Sequence, residues 1–112
     1  IGFRIGDALI RQLERIEDVK RCAGEVPSRS VLLREAFSRG LARLAAGPLR
    51  ISPEAKEAGS LQVRLQVETG EAELLEGIGA RAESVDGGHV SRVVVVRQCI
   101  LQGLHSGAPS HA

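Results

Sequence analysis

The sequence predicts a mainly α domain with one two-stranded antiparallel ribbon, built from a strand-helix-helix unit that occurs twice in one chain. Three observations predict it. Leu61, Val63, Leu65 and Val67 alternate with Gln62, Arg64 and Gln66, the period of a strand with one dry and one wet face. Apolar stripes at helical spacing follow each candidate strand. Finally, Ser28–Leu41 (SRSVLLREAFSRGL) falls on Ser91–Leu104 (SRVVVVRQCILQGL), sixty-three residues further on, with Ser, Arg, Val, Arg, Gly and Leu repeated in place.

Taken in order, Phe3-Arg4-Ile5 predicts a short strand with Phe3 and Ile5 on one side and Gly2 and Arg4 on the other. Asp7 is the expected cap of the first helix. Its stripe is Leu9, Ile10, Leu13, Ile16 and Val19, ending before Gly24 and Pro27. Ser28 is the next N-cap. From there Leu33, Ala36, Phe37, Gly40, Leu41 and Leu44 recur as one helical face.

Residues 45–60 are Pro/Gly punctuated and form a linker in which Ser52-Pro53-Glu54 predicts a short helix. The second unit brings the strand Leu61–Val67, a helix along Ala72, Leu75, Ile78, Ala82 and Val85, a turn at Gly87-Gly88, and a helix along Val96, Cys99, Ile100, Gly103 and Leu104. Val93–Val96 favours a strand on propensity alone. The helical stripe that continues through it overrules that preference.

The expected organisation is a single domain over 1–112: units at 1–44 and 61–105, the linker 45–60, and a frayed tail at 106–112. One unit of about 45 residues buries too little surface to be stable, and a lone strand leaves both edges unpaired. Two units in one chain solve both problems. Gly40 and Gly103 each cost about 1 kcal/mol relative to Ala inside a helix. Their recurrence in mid-stripe predicts that the two second helices cross closely there.

The net charge of +1 divides unevenly, with ten Lys/Arg against six Asp/Glu in residues 1–50 and five against eight thereafter. The first half therefore suits a polyanion better than the second. No apolar run approaches a membrane span, so no membrane partner is expected. The chain opens on Ile1 rather than Met, as expected of a piece of a longer protein. Cys22 and Cys99 have no metal-ligand spacing and are read as small core thiols, with a disulfide left open. His89, His105 and His111 form no metal set. No nucleophile-base-acid arrangement occurs, so the chain is not expected to be an enzyme.

The wet face of Leu61–Val67 carries two amides and a guanidinium, and no carboxylate before Glu68. Arg and Gln match guanine and adenine edges with paired hydrogen bonds, and a two-stranded ribbon fits the DNA major groove. An ordinary solvated face is the plainer reading of that stretch alone; the duplication favours DNA.

The strands ending Arg4-Ile5 and Gln62–Val67, with the SRS and SRV starts of the second helices, resemble the ribbon-helix-helix family over nearly the whole chain. The single-chain duplication is similar to the tandem members found in conjugation and T-DNA transfer machinery. The resemblance implies a ribbon-helix-helix pseudo-dimer formed by one chain. It implies base reading by Gly2, Arg4, Gln62, Arg64 and Gln66, and phosphate binding by Ser28, Arg29, Ser30, Ser91 and Arg92. It further implies double-stranded DNA as partner, with a relaxase or other DNA-processing protein beside it. No cofactor and no metal are implied, and the setting would be a monomer in the bacterial cytoplasm serving plasmid conjugation or virulence.

Helix N-termini suit phosphate independently of any resemblance. Arg29 and Arg92 oppose the helix dipole where they stand, which fits phosphate contact better than helix stability. Arg34 and Arg97 are expected on the solvated face. Two features depart from the family: the first strand is short, and the second strand-to-helix connection is long and acidic (Glu68, Glu71, Glu73). The alternative is a repressor of the same fold, or an antitoxin-like protein-interaction module whose ribbon face is incidental.

Overall fold

Period-two and helical patterning resolve, in the computed structural model, into β1 (Gly2–Ile5), α1 (Asp7–Cys22), α2 (Arg29–Ala46), α3 (Pro53–Lys56), β2 (Leu61–Arg64), α4 (Thr69–Asp86) and α5 (Arg92–Gly107). The structure describes residues 1–47, 49–57 and 59–107, without the side chains of 86 and 106. It is mainly helical with one two-stranded sheet. No described helix is long and apolar enough to cross a membrane.

β1 and β2 pair antiparallel with Gly2 opposite Arg64, Phe3 opposite Val63, Arg4 opposite Gln62 and Ile5 opposite Leu61. Backbone bonds exchanged between Ile1 and Leu65 extend the ladder by one pair. Alternation then does the sorting: Phe3, Ile5 and Leu65 are buried, Leu61 and Val63 half-buried, and Gly2, Arg4, Gln62 and Arg64 exposed. The linker brings β2 back past the end of β1. It does so at Gly59, where a Cβ would stand 1.7 Å from the Ile5 carbonyl oxygen. Only glycine permits so close a backbone approach.

The helices close over the dry side of the ribbon, and α2 crossing α5 forms the centre of the core. A Cβ on Gly40 would lie 1.6 Å from the Cys99 carbonyl oxygen, and one on Gly103 would lie 1.8 Å from that of Ala36. The crossing predicted from sequence is therefore a backbone-to-backbone contact, made twice. Around it Phe37, Leu41, Val96 and Ile100 are almost fully excluded from solvent. Their burial drives the association, at about 25 cal/mol per Å² of apolar surface.

Val93–Val96 lies in α5, as its stripe required. Gly87 ends α4 in the left-handed conformation (φ 75°), donating its N–H to the Glu83 carbonyl at 2.8 Å. The short helix falls at Pro53–Lys56, with Ser52 as its N-cap and Pro53 in its first turn.

Several expectations are corrected. β2 stops at Arg64, so Gln66 and Val67 lie beyond the sheet: β1 offers no partner past Ile1. Gly6 holds the N-cap position before α1, and Asp7 is the first residue within it. Val19 and Val85 are 48% and 70% exposed, because the stripes of α1 and α4 outrun the core near their C-terminal ends. Cys22 is exposed for the same reason, and only Cys99 is a core thiol; both are free. Burial pushes the Cys99 thiol up to about 12, which leaves it protonated and inert. Arg97, expected in solvent, is buried. α5 runs through Ser106 to Gly107, where a frayed tail was expected; His111 and the rest of that tail lie outside the described residues.

Candidate nucleic-acid interface

The ribbon's outward face is small and free of carboxylates. Its cross-strand pairs are Gly2 with Arg64 and Arg4 with Gln62. Arg4, Gln62 and Arg64 are exposed, and their side chains make no hydrogen bond or ion pair with another described residue. Gly2 has no side chain to read a base with; it supplies space. A Cβ there would sit 3.0 Å from the Gln62 amide nitrogen, so the Gln62 amide lies over this position. Gln66 is exposed beyond the strand end, on the rim of a cavity of about 560 Å³ that Arg64 and Ser30 also line. The fold thus places Arg4, Gln62 and Arg64 together on the ribbon's outward face, with Gln66 beside them rather than in line.

The predicted phosphate residues occupy the starts of α2 and α5. Neither helix has an acidic residue in its first turn. α1 and α4 do, and α4 begins with a capping box in which Glu68 and Glu71 each accept the other's backbone N–H. α2 and α5 therefore present acid-free N-termini, which suit an anion. Ser28 and Ser30 are exposed at the start of α2, and Ser28 makes no capping bond with its side chain. Ser91 is exposed before α5, and its hydroxyl accepts the Val94 N–H at 3.3 Å.

The arginines beside these serines differ. Arg29 is engaged inside the molecule: its Nε and Nη2 donate to the two Glu17 carboxylate oxygens at 3.2 and 2.8 Å. Glu17 is only 6% exposed. The bidentate bond from Arg29 holds its carboxyl below the ordinary carboxylate range, against burial that pushes the other way. Arg92 is exposed and reaches Glu76 only at 3.4 Å, a weak surface pair. Glu17 continues the i, i+4 spacing of Leu9 and Leu13, the other buried residues of α1, but an acid standing in a stripe does not name its distant partner.

Two further residues were missed as determinants of the interface. Arg97 donates from Nε to the Arg4 carbonyl at 2.8 Å and from Nη1 to the Ala55 carbonyl at 3.3 Å. It thereby ties the backbone of the outward-reading strand to α5 and α3. Arg81 of α4 donates to the carbonyls of Leu44 and Gly47 at 2.8 and 2.7 Å, satisfying the open C-terminus of α2. Periodicity carries no signal for either bond, because both join distant segments.

No protein-family model, curated protein or solved structure matches this chain.

Proposed function

We propose that this chain is a ribbon-helix-helix pseudo-dimer made by one polypeptide, a binding module rather than an enzyme, that inserts its ribbon into the major groove of double-stranded DNA. The observation that carries the reading is the outward face, where Arg4, Gln62 and Arg64 stand together exposed and unpaired, with no carboxylate among them. Paired donors and acceptors of this kind suit guanine O6/N7 and adenine N6/N7. The reciprocal crossing supports the pseudo-dimer: Gly40 meets Cys99 and Gly103 meets Ala36, and each residue is the repeat partner of another in the set. The acid-free N-termini of α2 and α5 would hold phosphates at either flank. On this reading Arg92 contacts phosphate, whereas Arg29 braces Glu17 and leaves Ser28, Ser30 and backbone N–H groups to do so. A role in processing DNA for conjugative or T-DNA transfer, beside a relaxase in the bacterial cytoplasm, is the setting we favour.

Fluorescence anisotropy on duplexes, including origin-like and border-like DNA, tests the reading. Affinity should fall steeply with salt as counterions are released. Arg92→Ala should flatten the salt slope by about one unit on every sequence. Arg64→Ala should instead relax preference at one base pair, by roughly 1–3 kcal/mol, with the slope nearly intact. Since the strands present different side chains, the selected site should be asymmetric. Salt-insensitive binding, or an Arg64→Ala protein with unchanged preference, would overturn the proposal.

A further inference from the structure

We propose that a groove between α1, the last turns of α5 and the linker docks an acidic, partly apolar segment of a partner protein. Two clefts of about 300 and 310 Å³ adjoin there, both lined by Gln12 and His105. Arg11 and Arg15 line the first, and Arg50 lines the second. All three arginines are exposed, and none of their side chains makes a hydrogen bond or ion pair with another described residue. Arg21, Arg29, Arg34 and Arg92, by contrast, each meet a carboxylate. Among the described residues, Glu54 is the single acid lining either cleft.

Arg11 and Arg15 stand one turn apart on α1, a spacing at which like charges repel and destabilise a helix. Asp7 and Glu14 flank Arg11 and Asp18 flanks Arg15 along α1, but neither guanidinium is ion-paired with a described carboxylate, so both remain available to an external anion. Its class follows from the floor, where half-buried Ile16 and buried Leu104 lie beneath the arginines. A peptide carrying carboxylates and aliphatic side chains satisfies both the rim and the floor. A duplex offers charge along a broad polar backbone and nothing apolar to bury. The groove shares no lining residue with the ribbon, so this inference stands independently of the DNA reading.

The test is fluorescence anisotropy of a labelled peptide of leucine and glutamate, titrated with the whole chain. A leucine-glutamine peptide serves as the charge control, and a random-sequence duplex as competitor. The glutamate peptide should bind, the glutamine peptide should not, and the duplex should not displace it. Arg11→Gln/Arg15→Gln should weaken binding roughly tenfold, the effect of losing two complementary charges at an interface. Arg50→Gln should weaken it less, and Arg43→Gln, at an exposed position of α2 outside the groove, should leave it unchanged. Because these side chains are exposed, no variant should melt below the parent, and Arg11→Gln/Arg15→Gln, which removes the repulsion, should melt at or slightly above it. Failure of the parent chain to bind, full binding by the double variant, or an equal loss with Arg43→Gln would overturn the proposal. Displacement by duplex would overturn it too, and would make the groove a second nucleic-acid surface.

Discussion

Arg34 of α2 and Arg97 of α5 stand at equivalent places in the duplicated stretch, yet one is half-buried beside acids and the other is 8% exposed against backbone. Arg34 pairs with Glu71 at 2.8 Å, and its guanidinium carbon lies 5.7 Å from the Phe37 ring centre. Arg97 meets the carbonyls of Arg4 and Ala55 instead. The same divergence runs along both helices. Gln98 is buried, its Oε1 accepting both the N–H and the hydroxyl of Ser52 at 2.7 and 3.0 Å, whereas its counterpart Glu35 is exposed. Leu101 is buried and its counterpart Ser38 is exposed. The linker between α2 and β2, with α3, packs on α5. α2 and α5 share the crossing at Gly40 and Gly103; the linker, packed on α5, makes that helix the interior one.

The largest effects should come where the halves agree. Gly40→Ala and Gly103→Ala each drive a methyl into a facing carbonyl, so each should cost at least about 3 kcal/mol, at or above the usual range for overpacking. Urea unfolding should give similar losses for the two. A large loss at one and tolerance at the other would show that the halves do not share the crossing.

The next effect should separate them. Arg97→Ala orphans two carbonyl acceptors in a buried setting and should cost about 2–4 kcal/mol. Arg34→Ala breaks a partly exposed pair and should cost about 1 kcal/mol or less. Equal losses in denaturant melts would erase the distinction drawn between the two arginines.

A smaller, pH-dependent difference is expected at Arg29 and Arg92. In the folded chain the Glu17 carboxyl is held below its ordinary value of 4.5, chiefly by the Arg29 hydrogen bonds. A carboxyl depressed on folding contributes stability that is complete above its unfolded pKa and lost as pH falls through the folded value. Stability should therefore decline below about pH 4.5, and Arg29→Ala should flatten that decline. Arg92→Ala should leave it unchanged. Urea midpoints measured across this range would reveal an identical acid response of the two variants, which would remove Glu17 from the account. The smallest effect is a gain: nothing lies within 4 Å of a Cβ on Gly77 in α4, so Gly77→Ala should add about 0.5–1 kcal/mol in a thermal melt.

Much of this molecule was legible because its signals are local. Period-two alternation sent Phe3 and Ile5 inward and Arg4, Gln62 and Arg64 outward, since the pleat leaves no other choice. The helical stripe placed Val93–Val96 in α5 against its propensity. The glycine pair announced a close crossing, because glycine survives in mid-helix where something gains from the missing Cβ. Stripes read less well at their ends. Val19, Cys22 and Val85 continue a pattern past the point where there is a core to meet it, and Gln66 continues a strand past its last partner.

The sequence by itself determined the elements, the inward face of each, the ribbon's outward chemistry and the residues at which two helices meet. Those follow from backbone geometry and apolar periodicity acting over a few residues. Only the tertiary structure decided how the charges are used. Arg29 closes on Glu17 twelve residues away, Arg81 on the end of α2, and Arg97 on a strand at the far end of the chain. A guanidinium on a long flexible stem looks the same in a sequence whether it faces water, a carboxylate or a carbonyl. What it meets depends on which distant segment the fold brings within about 3 Å.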